Sequence, residues 1–423
     1  MGFRSTRMIV GASAIAVVWL VGVTWGATGT QISRRSSMAS VNQPGQAKRR
    51  PALSVVASHP FALGGGQATS AGPPLLAEQA FKNIQALKGI SVDDFMGTMG
   101  IMSGSLGFDC AECHDSAGTD KVDWAADTPR KVTARRMVNM VTAINRDHFR
   151  GRQVVTCWTC HRGRDRPVTT PALDVVYGMP ILERDDLVPA SPPGLPSPDQ
   201  IINKYLQALG GAQRLAGITS FAGKGTSVGF GGFGGGGAVQ IYSNAPDQRT
   251  AIIEFKDAPG RDASIRSYDG KIGWIKTPLT VLGEYQLSGS ELDGARLDAQ
   301  LSFPAQIKQA LTNLRTLDPT TIDDREVDVV QGNGPRRLFA TLYFDKQTGL
   351  LVRMVRYGNS PIGRLPTQID YSDYRDVGGI KMPFRFTFAW LDGRDAFQLN
   401  EVQLNVPIDA AKFGRPTSLE SRR

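Results

Sequence analysis

Cysteine and histidine are scarce in this chain, with four of each among 423 residues. So few cysteines do not make a disulfide framework, and loops of two residues between paired cysteines would staple little chain. Long runs of one charge are also lacking. Lys and Arg outnumber Asp and Glu by 48 to 39, a formal net charge of +9, but the basic residues are interleaved with acidic ones. That pattern argues against nucleic acid and for an exported protein near anionic lipid or an acidic partner. The Gly-rich run over 229–237 lacks a GK[ST] ending. It therefore reads as a flexible hairpin and not as a phosphate loop. With no cysteine near the first apolar segment, a lipid anchor on an N-terminal cysteine is not expected.

What is present divides the chain. Its length exceeds one ordinary core, so two folded domains plus tails are expected. Arg4 and Arg7 precede the uncharged stretch MIVGASAIAVVWLVGVTWGA. A basic flank followed by an apolar run is the pattern of a secretory signal. The run is also close to the roughly 20 residues that a spanning helix needs. Ala27, Thr28 and Gly29 offer a poor cleavage site. A cleaved signal and a retained anchor both stay open over 1–30. Either puts the remainder on the periplasmic side of a cytoplasmic membrane, because basic flanks stay inside. Residues 31–74, rich in Ser, Gly, Pro, Gln and Ala, read as a flexible tether.

Periodic sequence begins at Leu75. LLAEQAFKNIQALKG predicts a helix closed by Gly89. Ser91 then caps a second helix, with Asp94 completing a capping box and Phe95, Met99 and Met102 on one face. Thr128 and Pro129 open a third, in which Met137, Met140, Val141 and Ile144 form an apolar stripe. A Pro-rich linker is expected over 187–197, and the helix after it, IINKYLQALGG, ends at Gly210 and Gly211. The period then changes to alternation. AVQIYS, RTAIIEF, KIGWIK, RRLFATLYFD, GLLVRMVRY, TQIDYSDY, MPFRFTFAW and FQLNEVQL read as strands, with residues 346–349 as a hairpin turn. The apolar stretch from Leu301 to Leu314 reads as a helix crossing the sheet. The expected organisation is a mostly α domain over 75–186, an antiparallel β-rich domain over 198–415, and a C-terminal tail over 416–423.

All four cysteines fall in two copies of one pattern, Cys110-Ala-Glu-Cys113-His114 and Cys157-Trp-Thr-Cys160-His161. C-x-x-C-H is the attachment signature of c-type heme. Two thiols add to the vinyl groups on one edge of the porphyrin, and the adjacent histidine reaches the iron. Zinc would not require a histidine after each pair. A thioredoxin-type pair would sit beside a βαβ pattern, which is missing here. Two covalent heme c groups are therefore expected, on Cys110 and Cys113 and on Cys157 and Cys160. His114 and His161 are the proximal iron ligands. For the second axial position the residues leave several candidates: His148, or Met96, Met99, Met102, Met137 and Met140 on the helices before the motifs; His59 lies in the tether. Arg135, Arg136, Arg162 and Arg164 flank the motifs and could pair with heme propionates.

NIQALKG, FMGTM, ARRMVNMVTAIN and VTCWTCHRG together resemble the cytochrome c subunit of photosynthetic reaction centres, in particular a diheme relative, over roughly residues 75–171. The resemblance implies Met99 as ligand to the heme on Cys110 and Cys113, and Met137 as ligand to the heme on Cys157 and Cys160, with Met140 left as packing. It departs in heme number, since the best-known members carry four. The second domain is similar to outer-membrane lipoprotein-sorting proteins in QALGG, YFDKQTGLLVR and IDYSDYRDVGGIKMPF. This implies a large curved antiparallel sheet, half-barrel like, over a helix, with an apolar ligand in the concavity. The expected function is electron transfer without catalysis, exchanged with a redox partner protein on the periplasmic side, a reaction centre or a respiratory complex, at or near the membrane. A diheme peroxidase, or a lipid- or lipoprotein-binding module with a redox-sensing cytochrome, is the alternative. The motif reading makes a direct prediction: Cys157→Ser with Cys160→Ser should lower the intact mass of the purified protein by one heme beyond the sulfur exchange. A variant still carrying two covalent hemes would refute it.

Overall fold

The computed structural model describes residues 72–416, apart from 118, 120, 179–192, 229–236, 256–262, 278–281, 335, 337 and 392. The leader over 1–30, most of the tether, the first part of the Pro-rich linker, nearly all of the Gly-rich run and the C-terminal tail after 416 lie outside the described residues.

Helices come first along the chain: α1 (Ala77–Ala80), α2 (Val92–Leu106), α3 (Pro129–Phe149), α4 (Cys157–His161) and α5 (Leu173–Tyr177). The long helix expected from residue 75 is not formed. Only α1 forms, because Asn83 and Leu87 take left-handed backbone angles (φ 59° and 62°). The Asn83 amide donates instead to Ala125 O (2.8 Å) and Asp127 Oδ1 (2.9 Å), tying the segment to the entry of α3. Ser91 caps α2 as expected, accepting from the Asp94 amide. The box is not completed, since the Asp94 carboxylate accepts from the Ser91 hydroxyl (2.9 Å) and not from its backbone. Thr128 caps α3 with Pro129 in its first turn. The buried line of α3 is Val138, Val141 and Asn145. Met140 is 43 % exposed, so its expected packing role is corrected. The Asn145 side chain explains the shift: it donates to Val155 O (2.7 Å) and accepts from the amides of Val154 and Val155 (2.9 Å each). That turns the α3 face toward the segment leading into the second motif.

After α6 (Pro198–Leu209) and α7 (Ala212–Ala216) the chain is mainly strand: β1 (Ser220–Val228), β2 (Gly237–Asn244), β3 (Gln248–Phe255), β4 (Ser264–Tyr268), β5 (Gly273–Lys276) and β6 (Glu284–Gln286). Next come α8 (Gly289–Leu301) and α9 (Ile307–Ala310), then β7 (Thr312–Ile322), β8 (Arg325–Asn333), β9 (Phe339–Asp345), β10 (Leu351–Ser360), β11 (Gly363–Val377), β12 (Ile380–Trp390) and β13 (Gly393–Leu404). Of the helix expected over 301–314 only a 3₁₀ turn (Pro304–Gln306) and the single turn of α9 form; α8, ending at Leu301, carries the crossing, and β7 starts at Thr312. All eight strands read from alternation are present. The 346–349 turn is held by Asp345, whose Oδ1 accepts from Thr348 N (2.7 Å).

The strands form one open antiparallel sheet of thirteen, ordered β6-β5-β4-β3-β2-β1-β13-β12-β11-β10-β9-β8-β7. First and last strands pair at the middle, and each half meanders outward to an edge. β6 and β7, consecutive among the strands, therefore lie at opposite edges, and α8 must cross from one to the other. Its core contacts follow from α6, which buries Ile201, Ile202, Tyr205, Leu206 and Leu209 on one stripe. These pack with Leu297 of α8 and with inward residues such as Ile241, Met354 and Phe397.

A buried ionic group fixes the crossing. Arg356 of β10, with a fully buried side chain, contacts Glu291 Oε1 (3.2 Å) and Asp298 Oδ1 (3.5 Å) of α8, and Arg266 of β4 meets Glu291 Oε2 (3.0 Å). One helix is thus clamped to both halves of the sheet. A Cβ on Gly294 would lie 2.2 Å from Arg356 Nη1, so α8 needs glycine there. Burial alone would raise the Glu291 carboxyl, but Arg356 and Arg266 outweigh it and hold it down at about 2. An acid with a depressed folded pKa contributes stability above its unfolded pKa and loses it as pH falls toward the folded one. Removing one member leaves buried charge uncompensated. Arg356→Leu should therefore lower the unfolding free energy by about 3–5 kcal/mol at pH 7. The deficit in the urea midpoint should shrink as pH drops below 4; a deficit independent of pH would contradict the ionic assignment.

Candidate functional site

The two C-x-x-C-H segments take different local forms. Cys110–Glu112 is a 3₁₀ turn capped by Asp109, whose Oδ1 accepts from Ala111 N (2.8 Å) and Glu112 N (3.2 Å). It places His114 half-buried beside Trp124, with ring centroids 5.0 Å apart. The second motif is α4 itself, capped by Thr156 and closed by Arg162 in the left-handed region (φ 53°). Gly163 then donates to Ser105 O near the end of α2 (2.9 Å). Gly107 and Gly163 approach so closely that a Cβ on Gly107 would stand 2.5 Å from Gly163 O. The segment leading into the first motif and the segment leaving the second are therefore joined backbone to backbone.

The second motif, and the helix α2 that leads into the first, are also joined to the sheet. Cys157 N donates to Ile362 O (3.2 Å) in the β10–β11 turn, and Gln153 Nε2 donates to Ser360 O (2.8 Å). Ile101, Val138 and Ile362 form a small core with Met102, Cys157, Leu365 and Leu391 against it. At the other end of α2 the Ser288 amide donates to Asp93 Oδ2 (2.7 Å), and the Ser288 hydroxyl meets that of Ser91 (2.6 Å). Burial, followed by the charge of Glu291, pushes the Asp93 carboxyl well up.

Between these contacts lies a cavity of about 1770 Å³. Its wall includes Met99, Cys110, Cys113 and His114 at one side and Ile241, Ile253 and Leu399 at the other. Sequence reasoning placed the first four in one heme site, and the structure brings them around one space. Met96 and Met102 border the same cavity. Met137, Cys157, Cys160 and His161 do not; they stand on α3 and α4, linked through Val138 and Cys157 in the small core. His148 is exposed in the last turn of α3. Among the flanking arginines, Arg135 borders the cavity and pairs with Asp127 (2.7 Å), while Arg136, Arg162 and Arg164 are exposed.

The donor chemistry fits c-type heme on each motif. All four cysteines are free thiols, and burial raises those of Cys113 and Cys157. His161 Nδ1 stands 3.0 Å from Arg164 O. A carbonyl only accepts, so Nδ1 carries a proton and Nε2 is the nitrogen left to face a metal. His114 Nδ1 is buried with no hydrogen-bond partner. Burial, then the charge of Lys131, lowers the His114 pKa, which keeps the ring neutral. Among the described residues no three or more His, Cys, Asp or Glu gather as a metal cluster, so the two cysteine pairs do not converge as a four-sulfur zinc site would.

One residue on the cavity wall escaped the sequence reading. Asp395 on β13 is 1 % exposed, and neither carboxylate oxygen has a hydrogen-bond partner. Burial pushes it up to about 7, against the opposing pull of the Ala396 amide. Its only sequence signal was an acid at an inward position of an alternating strand, RDAFQL.

Comparison with known proteins gives two separate likenesses. Residues 25–174 match the family model described as the photosynthetic reaction centre cytochrome C subunit. Over 126 residues the chain is 37 % identical to the photosynthetic reaction center cytochrome c subunit of Thermochromatium tepidum, a match covering 28 % of this chain and 29 % of that protein. Less than a third of that relative's length is therefore represented. Among solved structures, a LolA superfamily protein from Nitrosomonas europaea is similar at 15 % identity and a TM-score of 0.36, covering 52 % of this chain and 99 % of that one. A putative outer membrane lipoprotein-sorting protein domain from Vibrio parahaemolyticus is similar at 10 % identity and a TM-score of 0.35, covering 50 % of this chain and 97 % of that one. Resemblance to the reaction-centre cytochrome family is thus shown for the first part of the chain, and lipoprotein-sorting proteins are among its structural neighbours.

The raised pKa of Asp395 has a testable sign. An acid with a raised folded pKa destabilises the fold increasingly as pH climbs from its unfolded value toward 7. Asp395→Leu should therefore gain about 1–3 kcal/mol at pH 8 and little at pH 4, read from paired urea titrations. An equal effect at both values would contradict an unpaired buried carboxyl.

Proposed function

We propose that this chain is a diheme c-type cytochrome that carries electrons on the periplasmic side of the cytoplasmic membrane. The observation that carries the reading is the pair of C-x-x-C-H segments, with His114 half-buried and His161 oriented by Arg164 O. The family match over 25–174 supports it. When bound, each heme iron cycles between ferric and ferrous states and so holds or releases one electron.

The residues divide the work. Cys110 and Cys113, and Cys157 and Cys160, would anchor the two porphyrins as thioethers. His114 and His161 would supply the proximal imidazoles. Arg164 O fixes the tautomer of His161 through its Nδ1–H. Met99 and Met137 would supply sulfur on the opposite sides. His/Met ligation favours a higher potential than paired imidazoles, and it leaves no open iron position for peroxide chemistry. Electron carriage, and not catalysis, follows from that.

We further read residues 75–186 as the heme-bearing domain, 198–415 as a half-barrel-like domain whose sheet walls the cavity, and 187–197 as the linker. The first thirty residues would export the chain, as a cleaved signal or as a retained anchor. The partner is a redox protein on the same side of the membrane, a reaction centre or a respiratory complex. The apolar cavity would take an apolar ligand beside the first motif.

The test is spectroscopic. Met99→Ala and Met137→Ala should each remove about half of the sulfur–iron charge-transfer absorbance at the red end of the oxidised spectrum, with heme count unchanged by intact mass. If neither variant alters that band, the methionine assignments fail. If the exported protein is colourless with the mass of bare polypeptide, the cytochrome reading fails with them.

A further inference from the structure

A buried carboxyl with no hydrogen-bond partner is costly, and native structures keep few of them. Asp395 is such a group, and it is among the residues that line the cavity. Its strand partner is Phe388 of β12. The neighbouring wall is aromatic: Phe388 meets Trp390 edge-on at 5.2 Å, and Phe386 stacks on Phe397 at 4.7 Å and 13°. The lining also carries aliphatic side chains, among them Ile241, Ile253 and Leu399. The aromatic end is also the end nearest α2, because Leu391, just past Trp390, packs on Gly104.

These features select among ligand classes. A simple acyl chain has no donor to offer the carboxyl and no need of aromatic walls. A cationic amphiphile would satisfy the carboxyl but would share the cavity with Arg249 and Arg266, which also border it. A flat ring bearing a hydroxyl answers both demands, stacking on aromatic walls and donating to the carboxylate. The volume allows for it. Small-molecule sites run to roughly 300–1,000 Å³, whereas this cavity reaches about 1770 Å³.

We propose that the cavity binds a hydroxyaryl amphiphile, a phenol or hydroquinone ring with an apolar tail, whose ring hydroxyl donates to Asp395 while the tail runs along the aliphatic wall. The inference deepens the reading of this cavity as an apolar-ligand site. It concerns binding alone.

The experiment uses the full heme-loaded chain and isothermal titration with para-decylphenol, decylbenzene and decylamine at pH 8. None of these probes needs the hemes to react. Wild-type protein should bind para-decylphenol about tenfold or more tighter than decylbenzene, the discrimination expected of a buried charge-assisted hydrogen bond. Asp395→Leu should retain decylbenzene binding and lose the preference. Asp395→Asn, with an amide oxygen but no charge, should keep part of it. Equal binding of phenol and benzene, tighter binding of decylamine, a preference that survives in Asp395→Leu, or no binding of any probe would each overturn the proposal. Heme content of the same samples, measured as the pyridine haemochrome, keeps the two readings apart. Two hemes without phenol preference would sink this inference and leave the electron carrier standing.

Discussion

The site depends on how closely helix α2 can lie against the ends of the sheet strands. Three glycines, Gly97, Gly100 and Gly104, face the leucines that close those ends. A Cβ on Gly97 would stand 3.0 Å from Leu365 Cδ2, and one on Gly104 would stand 2.8 Å from Leu391 Cδ2. Each interior glycine costs a helix about 1 kcal/mol relative to alanine. That cost is offset by seating the leucines directly on the helix backbone and burying Ile101 and Ile362 beside them. Because α2 carries Met99 and leads into the first motif, its seating turns the helical face and the sheet face into walls of one cavity. A side chain at Gly104 would push them apart.

Polar contacts set the angle at which this packing occurs. The caps of α2 and α8 meet head to head, through Ser91, Asp93 and Ser288. α8 is in turn clamped by Arg356 and Arg266 to both halves of the sheet. The position of the first motif is therefore referred through α8 to strands far apart in sequence. The second motif is referred to the same sheet by a different route, through Cys157 N on Ile362 O. Both motif segments are thus referred to the same sheet. Glycine contacts between 107 and 163 tie them to each other.

The two motifs differ in what surrounds them. The first shares its space with the interior of the sheet, and the second stands outside that space among exposed residues, Cys160 and Trp158 included. An inner site and an outer site follow from this asymmetry. The inner one has the low-dielectric surroundings that lower the pKa of His114 and raise that of Asp395. The outer one is open to solvent.

Much of this was legible in the residues. The attachment motifs, the caps of α2, α3 and α6, the 346–349 turn and eight of the thirteen strands follow from local rules: spacing of thiols and imidazole, side-chain oxygens at helix starts, alternation along strands. Local rules failed where a distant contact prevailed. The helix expected from residue 75 lost to Asn83, whose amide found partners at Ala125 and Asp127. The stripe on α3 was rotated by Asn145, which serves the chain entering the second motif. The crossing helix was displaced to α8, whose sequence is polar because it holds a buried ionic cluster and not only a core. What the sequence alone determined was the chemistry that each segment can offer, since that is a property of residue type and spacing. Which of those groups share a cavity, and that an unpaired Asp395 stands on its wall, was decided by the pairing of β1 with β13 and the seating of α2. Such contacts join residues hundreds of positions apart, and no short-range period records them.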